Sequence, residues 1–169
     1  MGQHSGEWDF QRQIEPLLHQ SAAYAYAVVG NREDAEDAVQ EAAIKGFQAF
    51  ARYDPSRPFK GWWFTILRNC CRDLMRRRQS RPSTVSIEHV SLPPQTSPSA
   101  DQYHDLRAAM DQLSPAHREI LELRYFGGCS YREIASALSL PEGTVMSRLY
   151  AARLALAGTY RKAAHYEAR

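Results

Sequence analysis

Apolar residues recur along this chain at intervals of three and four, the spacing of helices with one buried face. From Glu7 to Val29 the repeat is Phe10, Ile14, Leu17, Leu18, Ala22 and Tyr26, and Gly30-Asn31 supplies the stop. Arg32 to Arg52 follows. There Ala35, Ala38, Val39, Ala42, Ala43 and Phe50 share one arc, with Asp34, Asp37, Glu41, Lys45 and Gln48 opposite and Ile44 beside them, off the core face. A turn, Tyr53-Asp54-Pro55-Ser56-Arg57-Pro58, leads into Phe59 to Arg78. In that helix Trp63, Ile66, Leu67, Cys70 and Leu74 form the core stripe, and Trp62, Asn69, Arg72, Asp73 and Arg76 form the other side. Helices resume after Tyr103, first over Asp105–Leu113, then from the cap Ser114-Pro115 to Tyr125, ended by Gly127-Gly128.

The last pair of helices has the sharpest pattern. Ser130 with Glu133 fits a capping box, and Ile134, Ala135 and Leu138 repeat behind it. Ser139-Leu140-Pro141-Glu142-Gly143 ends that helix and starts the next. Val145, Leu149, Ala152 and Leu156 then make a core face, and Thr144, Ser147, Arg148, Tyr150 and Ala151 are placed opposite. This is a helix-turn-helix, with an apolar stripe for packing and a small, polar, cationic face for the major groove. An ordinary core hairpin has no need of Ser147 and Arg148 on its free face. The final residues, Ala163–Arg169, are expected to fray.

Between Gln79 and Gln102 the chain is rich in Ser and Pro, the composition of a linker, with only a weak alternation of Val85, Ile87, Val90 and Leu92. With no strand pattern long enough for a sheet, the fold class is all-α. Two small helical domains are expected, a three-to-four-helix bundle over 8–78 and a helix-turn-helix domain over 103–163, on a flexible tether over 79–102.

Charge changes the picture more by its placement than by its total, which is only +2. Arg52 to Arg78 holds eight basic residues against Asp54 and Asp73, whereas Asn31 to Glu41 holds five acidic residues against Arg32. Adjacent acidic and basic surfaces suit two different partners. The acidic row with exposed Ile44 fits a protein-docking face, although a solvated charged face would look the same. On the third helix, arginines can neutralise phosphates, Asn69 can hydrogen-bond base edges, and Trp62 can stack on an unpaired base. Cys70, Cys71 and Cys129 lack the spacing of a metal site and read as buried, reduced thiols. No nucleophile, metal or phosphate-cradle pattern is present, so neither enzymatic activity nor a cofactor is expected. No apolar run approaches the ~20 residues needed to span a bilayer, and MGQHSGEWDF lacks signal-peptide character, so no membrane insertion is expected.

Taken together, these segments resemble the extracytoplasmic-function (ECF) sigma factors, the small two-domain class of bacterial RNA polymerase initiation factors in the sigma-70 family. DAEDAVQEAAIKGF (Asp34–Phe47) resembles region 2.2, FKGWWFTILRNCCRDLMRRR (Phe59–Arg78) regions 2.3 and 2.4, and SYREIASALSLPEGTVMSRLYAARLAL (Ser130–Leu156) region 4.2. They occur in family order over nearly all of Phe10 to Arg161. The resemblance implies that Asp34, Asp37, Gln40, Glu41 and Ile44 dock on the clamp helices of the polymerase β′ subunit. It assigns Lys60, Trp62, Asn69, Arg72, Asp73 and Arg76 to the promoter −10 element, with the Tyr53–Lys60 loop near a flipped base. It assigns Thr144, Met146, Ser147, Arg148, Tyr150 and Ala151 to the −35 element, with Arg148 near phosphate. Region 4 would also grip the β-flap, the linker would replace region 3 along the RNA exit path, and an anti-sigma factor would regulate the whole in the bacterial cytoplasm.

Trp63 stands where the family more often has Leu, Ala151 where relatives can carry Arg, and Ala42-Ala43 where a bulkier pair is common. Two competing readings make other demands. An autonomous helix-turn-helix regulator requires a dimerisation face or ligand domain, and a sigma mimic should lose the DNA faces. Length arithmetic adds a constraint. A 24-residue linker relaxes to roughly 27 Å and stretches to about 80 Å. Promoter elements some 17 base pairs apart are separated by about 58 Å. The domains can span a promoter only with the tether drawn out, and free in solution they could fold against each other.

Overall fold

The computed structural model describes residues 3–80 and 100–166, with side chains described over 9–80 and 105–161. The described residues are helical, without strands. The first helical pattern is broken into α1 (Gln3–Ile14), a 3-10 turn over Glu15–Leu17 and α2 (Leu18–Val29). This corrects the single helix expected from Glu7 to Val29. Pro16 cannot donate a backbone hydrogen bond, and its ring collides with the carbonyl one turn earlier, so the helix yields there. Gly30 closes α2 at φ 86°, a left-handed conformation natural to glycine. Asn31 then caps α3 (Arg32–Phe50) by accepting from the Asp34 amide at 2.9 Å.

α3 meets its neighbours through a seam of small residues, Ala35, Ala38, Ala42 and Gly46. A Cβ at Gly46 would come within 3.1 Å of Phe10 and 3.2 Å of Trp63, so this glycine is what lets α3 lie close. α4 (Phe59–Gln79) buries Trp63, Phe64, Leu67, Cys70 and Cys71 at the centre. The Trp63 indole N–H donates to Ser21 Oγ at 2.8 Å, and that hydroxyl donates to Leu17 O at 2.8 Å. The Trp expected to alter packing alone therefore brings a polar partner with it, because a buried indole N–H must be satisfied.

The second half comprises α5 (Ala100–Asp111), α6 (Pro115–Tyr125), α7 (Tyr131–Leu138) and α8 (Glu142–Tyr166). Ser114 caps α6 through the His117 amide. Ser130 and Glu133 form the full capping box on α7. Ser139 turns the chain at φ 53°, and its amide closes α7 onto Ala135 O and Ser136 O. Val145, Leu149 and Ala152 of α8 are fully buried beneath this turn. α8 continues through Tyr166, past the point where fraying was expected. α4 reaches Gln79 and α5 starts at Ala100; the rest of the expected linker, with Val85, Ile87, Val90 and Leu92, lies outside the described residues.

The two halves lie against each other. α7 packs along α4, and α6 meets α2. Phe64 fits between the halves, edge-on to Tyr24 at 5.3 Å and against Gly127, where a Cβ would come within 2.8 Å of its ring.

Candidate functional site

Three surfaces stand out. The first is the outer face of α3. Asp37 and Gln40 are exposed, and Ile44 and Phe47 continue their line at 60% and 48% exposure. Positions 37, 40, 44 and 47 are three or four residues apart, so they form one stripe, polar at its start and apolar at its end. Two large apolar side chains left in water on one helix face mark a contact surface more than a solvated one. Phe47 escaped the sequence reading because an aromatic near the end of a helix reads as core. Its ring does touch Phe10 edge-on at 6.0 Å, but its outer half remains open. Two expected members are engaged within the chain. Asp34 receives Asn31 Nδ2 at 2.6 Å and pairs with Arg78 at 2.5 Å, while Glu41 pairs with Lys45 at 2.8 Å.

The second surface is α4 with the turn before it. Asn69, Arg72 and Arg76 are exposed on one side, as expected. Trp62 is not the free ring that the pattern suggested. It is half-buried in an aromatic box, with ring centres 5.0 Å from Tyr53, 5.4 Å from Phe59 and 6.3 Å from Phe50. The hydrophobic gain of covering an indole outweighs leaving it open. The turn is closed by Tyr53 Oη donating to Arg57 O at 2.6 Å and by the Ser56 amide donating to Asp54 Oδ1 at 2.9 Å. That amide holds the Asp54 carboxyl below its ordinary range. Asp73 pairs with Arg76 at 2.8 Å.

Lys60 is separated from this face. Nine residues before Asn69, it lies about 180° around the helix. Its Nζ donates to Gln20 Oε1 at 2.5 Å and Gly128 O at 2.8 Å, against the second half. Arg68 pairs with Glu119 at 2.5 Å, and Arg72 comes within 3.7 Å of the same carboxylate.

The third surface is the N-terminal part of α8. Met146, Ser147, Tyr150 and Ala151 are exposed, Met146 at 56% and Tyr150 at 66%. Thr144 and Arg148 lie on the flank, partly buried, and not on the crest where they were placed. They precede Val145 and Leu149 by one residue each, so they border the core row. Arg148 forms no salt bridge among the described residues, and a flanking arginine suits the wall of a groove more than its floor. Beyond the crest, Arg153 donates to Tyr125 Oη at 2.9 Å and lies over its ring. Leu154 extends the exposed face.

The cysteines are all buried and free, and burial pushes the Cys71 and Cys129 thiols up to about 12. Among the described residues, no three His, Cys, Asp or Glu side chains gather to hold a metal. No helix there is long and apolar enough to cross a membrane.

Comparison with known proteins agrees with this geometry. Residues 13–81 match the family described as Sigma-70 region 2, and residues 103–156 match Sigma-70, region 4. The ECF RNA polymerase sigma factor SigL of Mycobacterium tuberculosis is 34% identical over 143 residues, covering 79% of this chain and 78% of SigL. The ECF RNA polymerase sigma factor SigE of Mycolicibacterium smegmatis is 37% identical over 136 residues, covering 76% of this chain. The match takes in about half of SigE, 52% of its length. Among solved structures, the sigma factor RpoE in complex with the anti-sigma factor NepR from Bartonella quintana superposes with a TM-score of 0.71 at 30% identity, covering 90% of this chain and 97% of RpoE. CnrH in complex with the cytosolic domain of CnrY, at 24% identity and a TM-score of 0.68, shares the fold. An all-α pair of region 2 and region 4 modules defines a sigma-70-type protein. Within that family, the chain belongs to the ECF RNA polymerase sigma factors.

Proposed function

We propose that this protein binds core RNA polymerase and directs it to promoters, with residues 8–78 docking on the enzyme and reading the −10 element, and 103–163 reading the −35 element. The observation that carries the reading is the pairing of two exposed faces that one-partner proteins do not need together. The Asp37–Gln40–Ile44–Phe47 stripe of α3 fits a protein, and the Met146–Ser147–Tyr150–Ala151 crest of α8 fits a major groove. In this reading Asp37, Gln40, Ile44 and Phe47 meet the β′ clamp helices, with Glu41 at the edge and Asp34 holding the end of α4 through Arg78. Asn69, Arg72 and Arg76 meet −10 DNA, while Trp62 supports the 53–58 turn that receives a base. Asp73 orients Arg76, and Lys60 joins the DNA contacts only when it leaves Gly128. Thr144 and Arg148 border the −35 groove. The work is done in the bacterial cytoplasm, where polymerase and chromosome meet, and region 4 also contacts the β-flap.

The test is a pulldown with purified bacterial core polymerase, wild type beside Asp37→Ala/Gln40→Ala. Retention of the wild type and at least tenfold weaker retention of the double variant are expected. A wild type that ignores polymerase and binds duplex DNA alone would point to an autonomous regulator. Control by an anti-sigma factor is part of the proposal, supported by RpoE, which was crystallised with one. Deleting the gene of such an inhibitor should raise transcription from the factor's promoters, and unchanged transcription would count against it.

A further inference from the structure

The exposed face of α8 lacks the side chains that read bases by paired hydrogen bonds. Over Glu142–Leu156 the sequence contains no Asn, Gln or Lys, and its two arginines are placed off the crest. Arg148 lies on the flank, partly buried. Arg153 is held on Tyr125, its Nε donating to the phenol oxygen at 2.9 Å. The Ser147 hydroxyl donates to Thr144 O at 3.1 Å, so what it turns outward is an acceptor.

In their place stands an apolar ridge. Met146, Tyr150 and Leu154 recur every four residues and are all exposed. At 1.5 Å per residue the ridge runs about 12 Å, close to the width of the major groove. Ser147 and Ala151 beside it are small, and a Cβ at Gly143 would meet nothing within 4 Å, so the ridge stands clear of its neighbours. Arg148 on the flank and Arg132, exposed on α7, form no salt bridge among the described residues. In a helix-turn-helix the first helix crosses the phosphate backbone while the second enters the groove, so both cations have phosphates to meet. An apolar ridge with such cations around it suits a polyanion that carries apolar groups on its groove floor. Thymine supplies them: its methyl is the apolar group on the major-groove edges, and its partner adenine shows an amino group that the Ser147 acceptor fits.

We propose that this protein reads its −35 element chiefly by thymine methyl groups packed on Met146 and Tyr150, and not by bidentate hydrogen bonds to guanine. The inference rests on the reading of α8 as the −35 helix, and it names what that helix selects: A·T pairs whose methyl groups meet the ridge. Met146 and Tyr150 become the specificity residues. Ala151 and Ser147 let the backbone come close, and Arg148 stays on phosphate.

The experiment uses the holoenzyme assembled from core polymerase and the full chain. The −35 segment of a promoter recovered by run-off transcription is randomised, and bound duplexes are selected and sequenced. Each selected thymine is then replaced by deoxyuridine, which lacks only the methyl, and each guanine by 7-deazaguanine, which lacks the N7 acceptor. Wild type should select A·T-rich segments. At least one deoxyuridine should weaken binding about fourfold, the effect of losing one buried methyl group, with the salt slope unchanged because no phosphate contact is lost. 7-Deazaguanine should not change affinity. Met146→Ala/Tyr150→Ala alters exposed side chains, so it should still join core polymerase in a pulldown, yet bind thymine and deoxyuridine duplexes alike. Equal binding of the two duplexes by the wild type overturns the inference. So does a guanine-dominated selection that 7-deazaguanine abolishes, which would put Arg148 on bases, and so does a double variant that still prefers thymine. A holoenzyme that selects no −35 sequence would instead remove the reading of α8 itself, and the inference with it.

Discussion

Glu122 is a carboxyl group placed where water barely reaches it, at 6% exposure on α6. It adjoins a small cavity of about 30 Å³ between the halves, lined by Ala27 and Val28 on one side and by Leu106, Met110 and Phe126 on the other. Burial pushes its pKa from 4.5 up to about 7, with Arg118 and Arg107 opposing the rise and Glu119 and Asp111 adding to it. Tyr24 of α2 and Cys71 of α4 face it across the core, both raised above their ordinary values chiefly by burial. A raised carboxyl favours the folded form while it is protonated. Its contribution is complete below about pH 4.5 and is lost as pH rises through about 7. Urea unfolding at pH 5 and pH 8 should therefore show wild type losing up to ~3 kcal/mol relative to Glu122→Gln over that interval. Identical pH profiles for the two proteins would remove the buried-charge account. Nothing in the sequence marked Glu122, since a Glu at this helix position is ordinary and its burial comes from tertiary packing, with α5 and the end of α6 on one side and α2 on the other.

Among the elements, the helix-turn-helix was the most legible from sequence. The Ser130–Glu133 capping box, the break at Ser139–Pro141 and the Val145–Leu149–Ala152 row all depend on contacts within a few residues. Positions at the edge of a stripe were harder to read, because the wheel gives an angle and not the width of the neighbour. Thr144 and Arg148 fell from crest to flank, and Trp62 from open ring to aromatic box, for that reason. Pro16 was a local signal overlooked within a longer apolar repeat. The division of α8 into crest and flank has a consequence for binding. Arg148→Ala should weaken promoter binding for all sequences alike and make the salt slope shallower by about 0.9, the loss of one phosphate contact. Substitutions at Ser147 or Tyr150 should change the preferred −35 bases with the slope kept. Unaltered affinity and slope in Arg148→Ala, read by fluorescence anisotropy over a salt series, would place the phosphate contact elsewhere.

At the scale of the whole molecule, the order of the modules was readable because each carries its own periodicity. The closeness of the halves was not. It depends on long-range pairs such as Arg68 with Glu119, Lys60 with Gly128 O and Gly61 with Glu133, which no local pattern connects. Linker length had allowed either a folded-back or a spread arrangement, and the structure is the folded-back one. The α3 stripe, the surface proposed for polymerase, is open in this form, with Ile44 and Phe47 exposed. The measurement that bears most directly on this account is run-off transcription on a bacterial genomic-fragment library, comparing purified core polymerase alone, core with this protein, and core with Asp37→Ala/Gln40→Ala. The account predicts a discrete set of new start sites that requires the wild-type protein and fades at least tenfold with the double variant. Transcripts identical to those of core polymerase alone would contradict it.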